Sequence, residues 1–122
     1  MKDHLPAVDV AEFPLNHVFH NGQYIRQMLL PAGTMLTGKV HNFPDIFIVN
    51  RGDISLFSEF GYARVQAGFM TTSEAGVKRV GFAHEDTIMT TVNQCPFTTV
   101  EEAEKYLFSI DYDAFEAFKR SQ

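Results

Sequence analysis

Glycine-marked turns constrain this chain most. Asn21-Gly22, Pro31-Ala-Gly33, Arg51-Gly52-Asp53, Phe60-Gly61, Ala67-Gly68 and Glu74-Ala-Gly76 cut residues 17–93 into short runs. Glycine reaches positive φ without a Cβ clash, so each break is a place where the chain can reverse direction. The runs between them, at 24–30, 35–41, 46–49, 54–60, 62–66, 69–72, 78–84 and 87–92, are rich in β-branched and aromatic residues. Such residues fit a pleated, half-buried surface. Short strands with turn signals every ~8–12 residues predict an antiparallel sandwich or barrel over 17–93. The preceding stretch 1–16, interrupted by Pro6 and Pro14, is weakly patterned and reads as an arm across the domain or a neighbour.

The end of the chain changes period. Thr99-Val-Glu-Glu102 has the form of a capping box, followed by Val100, Ala103 and Leu107 at helical spacing. A second box, Asp113-Ala-Phe-Glu116, predicts a terminal helix with Tyr112, Phe115 and Phe118 on one side. Two short helices over 99–121 would cover an open end or an edge of the sheet. A partner-binding role is the alternative reading of these helices. With 122 residues the whole chain, 1–122, forms one domain.

Charge and cysteine content narrow the function. A net charge of −5 with no basic run argues against a nucleic-acid surface. The single Cys95 leaves no intrachain disulfide and no cysteine-based zinc site. No run approaches the ~18–20 apolar residues of a membrane span, and the first residues lack the apolar core of a secretory leader. The expectation is a cytoplasmic protein with neither a membrane nor a nucleic acid as partner. No serine elbow, phosphate-binding glycine loop or zinc spacing occurs.

The segment 33–52 carries the most specific spacing. Gly33, Lys39, His41, Asp45 and Gly52 stand where the first motif of the cupin family places Gly, His, His, Glu and Gly. The second cupin motif has Gly, Pro, Gly, His and Asn, and Gly68, Glu74, Gly76, Arg79 and Ala83 stand at those positions. The chain therefore resembles a cupin over much of 31–93, which implies a double-stranded β-sandwich or jelly roll. Together with Leu30-Pro-Ala-Gly-Thr-Met-Leu-Thr-Gly-Lys-Val-His41, the segment 76–93 also resembles small cupin-like proteins encoded by tailed bacteriophages and their hosts. That second resemblance implies a phage accessory role and no particular activity.

The substitutions decide the expected chemistry. By resemblance the pocket contains Lys39, His41, Asp45 and Arg79. Only His41 and Asp45 remain as ordinary metal ligands, and two cations beside them would repel a divalent ion in a low-dielectric site. No metal and no other cofactor is expected. A cationic pocket of Lys39, His41 and Arg79 suits an anionic small molecule, a carboxylate, phosphate or nucleotide-like compound. Asp45 would orient His41 or neutralise Lys39, and an internal ion network with no ligand is the competing reading.

Strand alternation puts Lys39 and His41 on one face, with Leu36, Gly38 and Val40 on the other. Likewise Asp45, Phe47 and Val49 would share a face opposite Ile46 and Ile48. Apolar residues left outside imply an interface, and the resemblance implies a homodimer. Packing of the terminal helices on these strands is the alternative.

His84 and Asp86 offer an acid–base pair at the pocket mouth, provided that a bulge near Gly81 turns His84 inward; a plain turn is the alternative. His17 and His20 read as edge or solvent residues. Three functions follow as expectations. The leading one is a metal-independent binder of an anionic metabolite or nucleotide. The second is a cupin-type isomerase, epimerase or lyase using His41, with His84 or Asp86. The third is a structural or interaction protein whose pocket is filled by its own Met35 and Phe47.

Overall fold

The computed structural model of the chain describes residues 7–8, 14–59 and 61–122. The expected arm at 1–16 falls mostly outside them, as do His4 and Phe60. In chain order the strands begin with β1 (Ala7–Val8), β2 (Pro14–His20), β3 (Gln23–Leu30), β4 (Met35–Thr37), β5 (Val40–His41) and β6 (Asp45–Arg51). They continue as β7 (Asp53–Ser58), β8 (Gly61–Gln66), β9 (Met70–Ser73), β10 (Val80–Ala83) and β11 (Thr87–Gln94). Helix α1 (Val100–Leu107), β12 (Phe108–Ser109) and α2 (Tyr112–Arg120) close the chain.

Two five-stranded sheets form the body, in the orders β1-β4-β10-β7-β8 and β2-β3-β11-β6-β9, with a small β12-β5 pair beside them. Pairing is antiparallel except between β1 and β4. This is the expected all-β jelly-roll sandwich with two C-terminal helices. The facing sheets meet in one apolar cluster, Met28, Leu30, Phe47, Val49 and Met89 from one and Ile54, Val65 and Ala83 from the other. Each such side chain taken from water stabilises the fold by about 1.5–3 kcal/mol.

A second cluster at one end joins Tyr24 and Cys95 to Ala103 and Leu107 of α1, with Phe43, Tyr106 and Phe108 packed against it. The helices therefore close an end of the sandwich. α2 adds Phe118, edge-on to Phe43 at 5.4 Å. They do not cover the outer face of the second sheet, where Val18, Ile25, Val92 and Ile46 pair across four strands in one apolar row.

The four motif glycines Gly33, Gly52, Gly68 and Gly76 all have positive φ, between 80° and 100°. Gly52 is held twice over, since a Cβ there would lie 2.5 Å from both the Asp86 carbonyl oxygen and Thr87 Oγ1.

Several boundaries differ from expectation. The run 35–41 is two strands, β4 and β5, parted at Gly38-Lys39, because the Gly38 N–H donates to the Arg79 carbonyl at 3.0 Å and draws the chain toward Arg79. A Cβ on Gly38 would be 3.3 Å from that oxygen. Helix α2 starts two residues earlier than its expected box, with Asp111 as the cap accepting from the Ala114 N–H at 2.8 Å. At α1, Thr99 caps as expected, accepting from the Glu102 N–H, but its hydroxyl also donates to Glu102 Oε1 at 2.9 Å. The strand β12 was not anticipated, being two residues between helices.

Candidate functional site

A cavity lies between the two apolar clusters. Its volume is about 80 Å³ over positions open to the centre of a water molecule. At ~10–15 Å³ per water on this measure, that is room for about five to eight waters or a compact organic molecule. Met28, Leu36, Phe47, Ile54, Leu56 and Met89 supply apolar walls, and Arg26, Lys39, His41, Asp45, Arg79 and Glu104 supply charge. All four residues expected at the pocket, Lys39, His41, Asp45 and Arg79, line it. Leu36 and Gly38 line it too, although alternation assigned them to the opposite face. The break at Gly38-Lys39 shifts the phase between β4 and β5, so both parities reach the same space.

Each polar residue is placed by a specific neighbour. Asp45 opens β6 opposite Ser73 of β9. The Arg79 Nη1 donates to that same Ser73 Oγ at 2.5 Å, and its guanidinium lies 5.2 Å from the Phe47 ring centre. Burial lowers the pKa of Arg79, while the nearby Asp45 carboxylate works in the other direction. His41 sits on β5 against Phe108 of β12, with ring centres 5.5 Å apart. Its Nδ1 is 3.2 Å from Asp45 Oδ2, within ion-pair range, yet it lacks hydrogen-bond geometry and counts as unbonded.

Arg26 and Glu104 complete the group and were missed from sequence. Arg26 is 4% exposed, its Nη2 donates to Glu104 Oε2 at 3.2 Å, and its guanidinium is 5.0 Å from the Phe108 ring centre. The signal for Arg26 was present, because it occupies the inward register of β3 between Tyr24 and Met28. Glu104 comes from α1, so only the packing of the helix brings it here.

Among the described residues, three cations thus line the cavity beside two carboxylates. Three buried polar atoms on residues that line the cavity have no hydrogen-bond partner among the described residues: Arg26 Nε, His41 Nδ1 and Asp45 Oδ1. Native interiors rarely leave such atoms unpaired.

A metal does not fit this donor set. Among the described residues no three His, Cys, Asp or Glu side chains gather. His41 and Asp45 alone fall short of a transition-metal shell, and Arg26, Lys39 and Arg79 oppose a cation.

His84 and Asp86 do not line the cavity. The bulge that would turn His84 inward is missing, since β10 pairs continuously with β7 from Val80 to Ala83. His84 lies instead on the outer face, its Nε2 2.7 Å from Ser55 Oγ. Asp86 makes a turn contact, accepting from the Ala32 N–H at 2.8 Å. His17 is an edge residue whose Nδ1 meets the Tyr24 hydroxyl at 2.6 Å. Burial of Tyr24 pushes its pKa up to about 12, with Arg26 opposing.

No protein-family model matches the chain, and no curated protein matches it in sequence. Solved structures do. A cupin-2 domain containing protein from Shewanella frigidimarina superposes with a TM-score of 0.56 at 17% identity, covering 66% of this chain and 78% of that one. A protein with a double-stranded β-helix domain from Klebsiella pneumoniae gives 0.57 at 16% identity, over 66% of this chain and 75% of that one. A salicylate 1,2-dioxygenase from Pseudaminobacter salicylatoxidans gives 0.58 at 16% identity, over 70% of this chain and 24% of that one. At these identities the likeness shows the fold, the double-stranded β-helix of cupins, and leaves activity to the site's own residues. No helix among the described residues is long and apolar enough to cross a membrane.

Proposed function

We propose that this cupin-fold chain binds a small organic anion, without a metal, in the cavity between its sheets. The observation that carries this reading is the gathering of three cationic side chains, Arg26, Lys39 and Arg79, around one open space inside an acidic protein. A cavity of about 80 Å³ favours a compact metabolite over a nucleotide. Arg79 supplies a fork of N–H donors of which one is used within the described residues, and Lys39 adds a second cationic side chain to the lining. The open cavity counts against a pocket filled by its own side chains, and Met35 is not among its lining residues.

Calorimetry against small carboxylates and phosphates tests the proposal. The wild type should bind at least one such anion. Arg79→Ala and Lys39→Ala should each weaken it, Arg79→Ala by a hundred-fold or more, with the fold retained by circular dichroism. A wild type that binds no anion would sink the reading.

The approach of His41 Nδ1 to Asp45 Oδ2 at 3.2 Å favours a second reading, a carboxylate-oriented acid–base catalyst such as an isomerase, epimerase or lyase. Its partner would have to come from the cavity, since His84 and Asp86 lie elsewhere. Turnover of a sugar or keto acid that survives His41→Gln would rule His41 out.

We extend the proposal to a cytoplasmic homodimer acting as a phage accessory protein that sequesters a host metabolite. The exposed row of Val18 and Ile46, 48% and 45% accessible, is the surface that a second copy would cover. Sedimentation should give a dimer that Ile46→Lys converts to monomer, and a monomeric wild type would remove this part.

A further inference from the structure

Resting on the anion-binding reading, we infer that the ligand is a short straight-chain carboxylate, and that Gly81 sets its length through the side chain it lacks. Strand pairing orders the cavity lining in layers. The first holds Asp45, at the start of β6, and Arg79, just before β10. Two residues further along, Arg26 of β3 and Phe47 of β6 flank Thr91 of β11, while Leu36 and Leu56 flank Gly81 in the facing sheet. The next layer is apolar, with Met28 beside Met89 in one sheet and Ile54 in the other. Charge therefore gathers toward one end, and the other end is hydrocarbon. A space of about 80 Å³ drawn out over these layers suits a chain better than a ring. Room for about five to eight water-sized groups matches a carboxylate of about three to six carbons, its head beside the arginines and its tail toward Met89.

Backbone geometry does not explain Gly81. It lies within β10, paired without a break to β4 and β7, and its φ is not positive. A glycine inside a strand weakens it and often marks a close approach. Here the approach comes from the cavity wall. A Cβ on Gly81 would meet Ile54 Cδ1 at 3.1 Å and Leu56 Cδ2 at 3.7 Å, and both of those residues line the cavity. Ile54 is fully buried within the apolar cluster, so its open side is the cavity itself. A side chain at position 81 would push Ile54 that way. The glycine therefore keeps the tail end of the space open.

Calorimetric titration with acetate, propionate, butyrate, valerate, hexanoate and octanoate, in a buffer free of other carboxylates, tests the inference. Affinity should rise about three- to four-fold with each added methylene, as burial of hydrocarbon does. The rise should end between butyrate and hexanoate, and octanoate should bind more weakly because it overfills the space. Gly81→Ala should lower that limit by at least one carbon while acetate binds as before. Ile54→Val deletes the Cδ1 that faces Gly81, is mild enough to keep the fold, and should raise the limit. Circular dichroism reads the fold of both variants. A limit that moves in neither folded variant would overturn the role of Gly81. Acetate binding with no gain toward butyrate, or benzoate binding tighter than every straight chain, would overturn the chain-shaped ligand and leave anion binding intact. Butanol binding as tightly as butyrate, or no carboxylate or phosphate binding at all, would end both readings.

Discussion

Two arginine–aspartate groups can be set side by side. On the outer face of the first sheet, Arg64 reaches Asp53 through Nε to Oδ1 and Nη2 to Oδ2, each at 2.9 Å. Gln66 Nε2 donates to the same Oδ2 at 3.1 Å. Inside the sandwich, Asp45 has His41 at 3.2 Å out of alignment and one oxygen with no partner, while Arg26 keeps an unpaired Nε. Both carboxylates are buried, at 4% and 6% exposure. The first group is complete, and the hydrogen bonds from Arg64, then Gln66, lower the Asp53 pKa to about 2. The second is incomplete, and an unpaired buried polar atom typically costs about 1–3 kcal/mol. A completed group has the character of structure; a group that keeps such a penalty beside an open cavity has the character of a binding site.

The widest separation between the groups should appear in ligand affinity. Arg79→Ala weakens anion binding by a hundred-fold or more, whereas Arg64→Ala leaves the affinity unchanged, both read by calorimetry. Loss of binding in Arg64→Ala would erase the contrast.

Stability should separate them in the opposite sense. Asp53→Asn replaces one of the two oxygens that together accept three hydrogen bonds, and removes their charge, which lowers the denaturant midpoint. Asp45→Asn removes a charge whose Oδ1 makes no hydrogen bond, and shifts stability by no more than about 1 kcal/mol. Equal losses from the two substitutions would contradict the assignment of roles.

The smallest effect is in acid. The folded pKa of Asp53 is about 2 against an ordinary 3.8, so the folded state holds this proton less tightly. The stabilisation from Asp53 is therefore full above pH 3.8 and fades as pH falls through about 2. Acid unfolding of Asp53→Asn should be less steep over that window. Tyr24, raised from 10.0 to about 12, acts at the other extreme, with stability full below pH 10 and lost as pH climbs to 12.

How much of this was legible in the sequence depended on whether a residue's place is set locally. The glycines that need positive φ announced the turns, and their spacing brought Lys39, His41, Asp45 and Arg79 to one cavity. Alternation along β6 correctly turned Asp45, Phe47 and Val49 inward and Ile46 outward. It failed at Gly38-Lys39, where a contact with the distant Arg79 carbonyl parts the strand. Arg26 was readable from the same alternation, sitting between Tyr24 and Met28, but a charged residue in an inward register is easily passed over. Glu104 and β12 depend on how α1 docks, which no local pattern encodes. The α2 cap moved from Asp113 to Asp111 because both aspartates precede the same apolar stripe.

The most direct test follows the two arginine Nε–H groups themselves. Nitrogen-15 spectra of the side-chain Nε–H resonances of Arg26 and Arg64, recorded during titration with acetate, compare a buried unpaired donor on a residue that lines the cavity with one already bonded to Asp53. The account predicts a saturable shift of the Arg26 resonance while that of Arg64 stays in place. An Arg26 resonance that does not respond while binding is detected, or one that moves no more than Arg64, would contradict it.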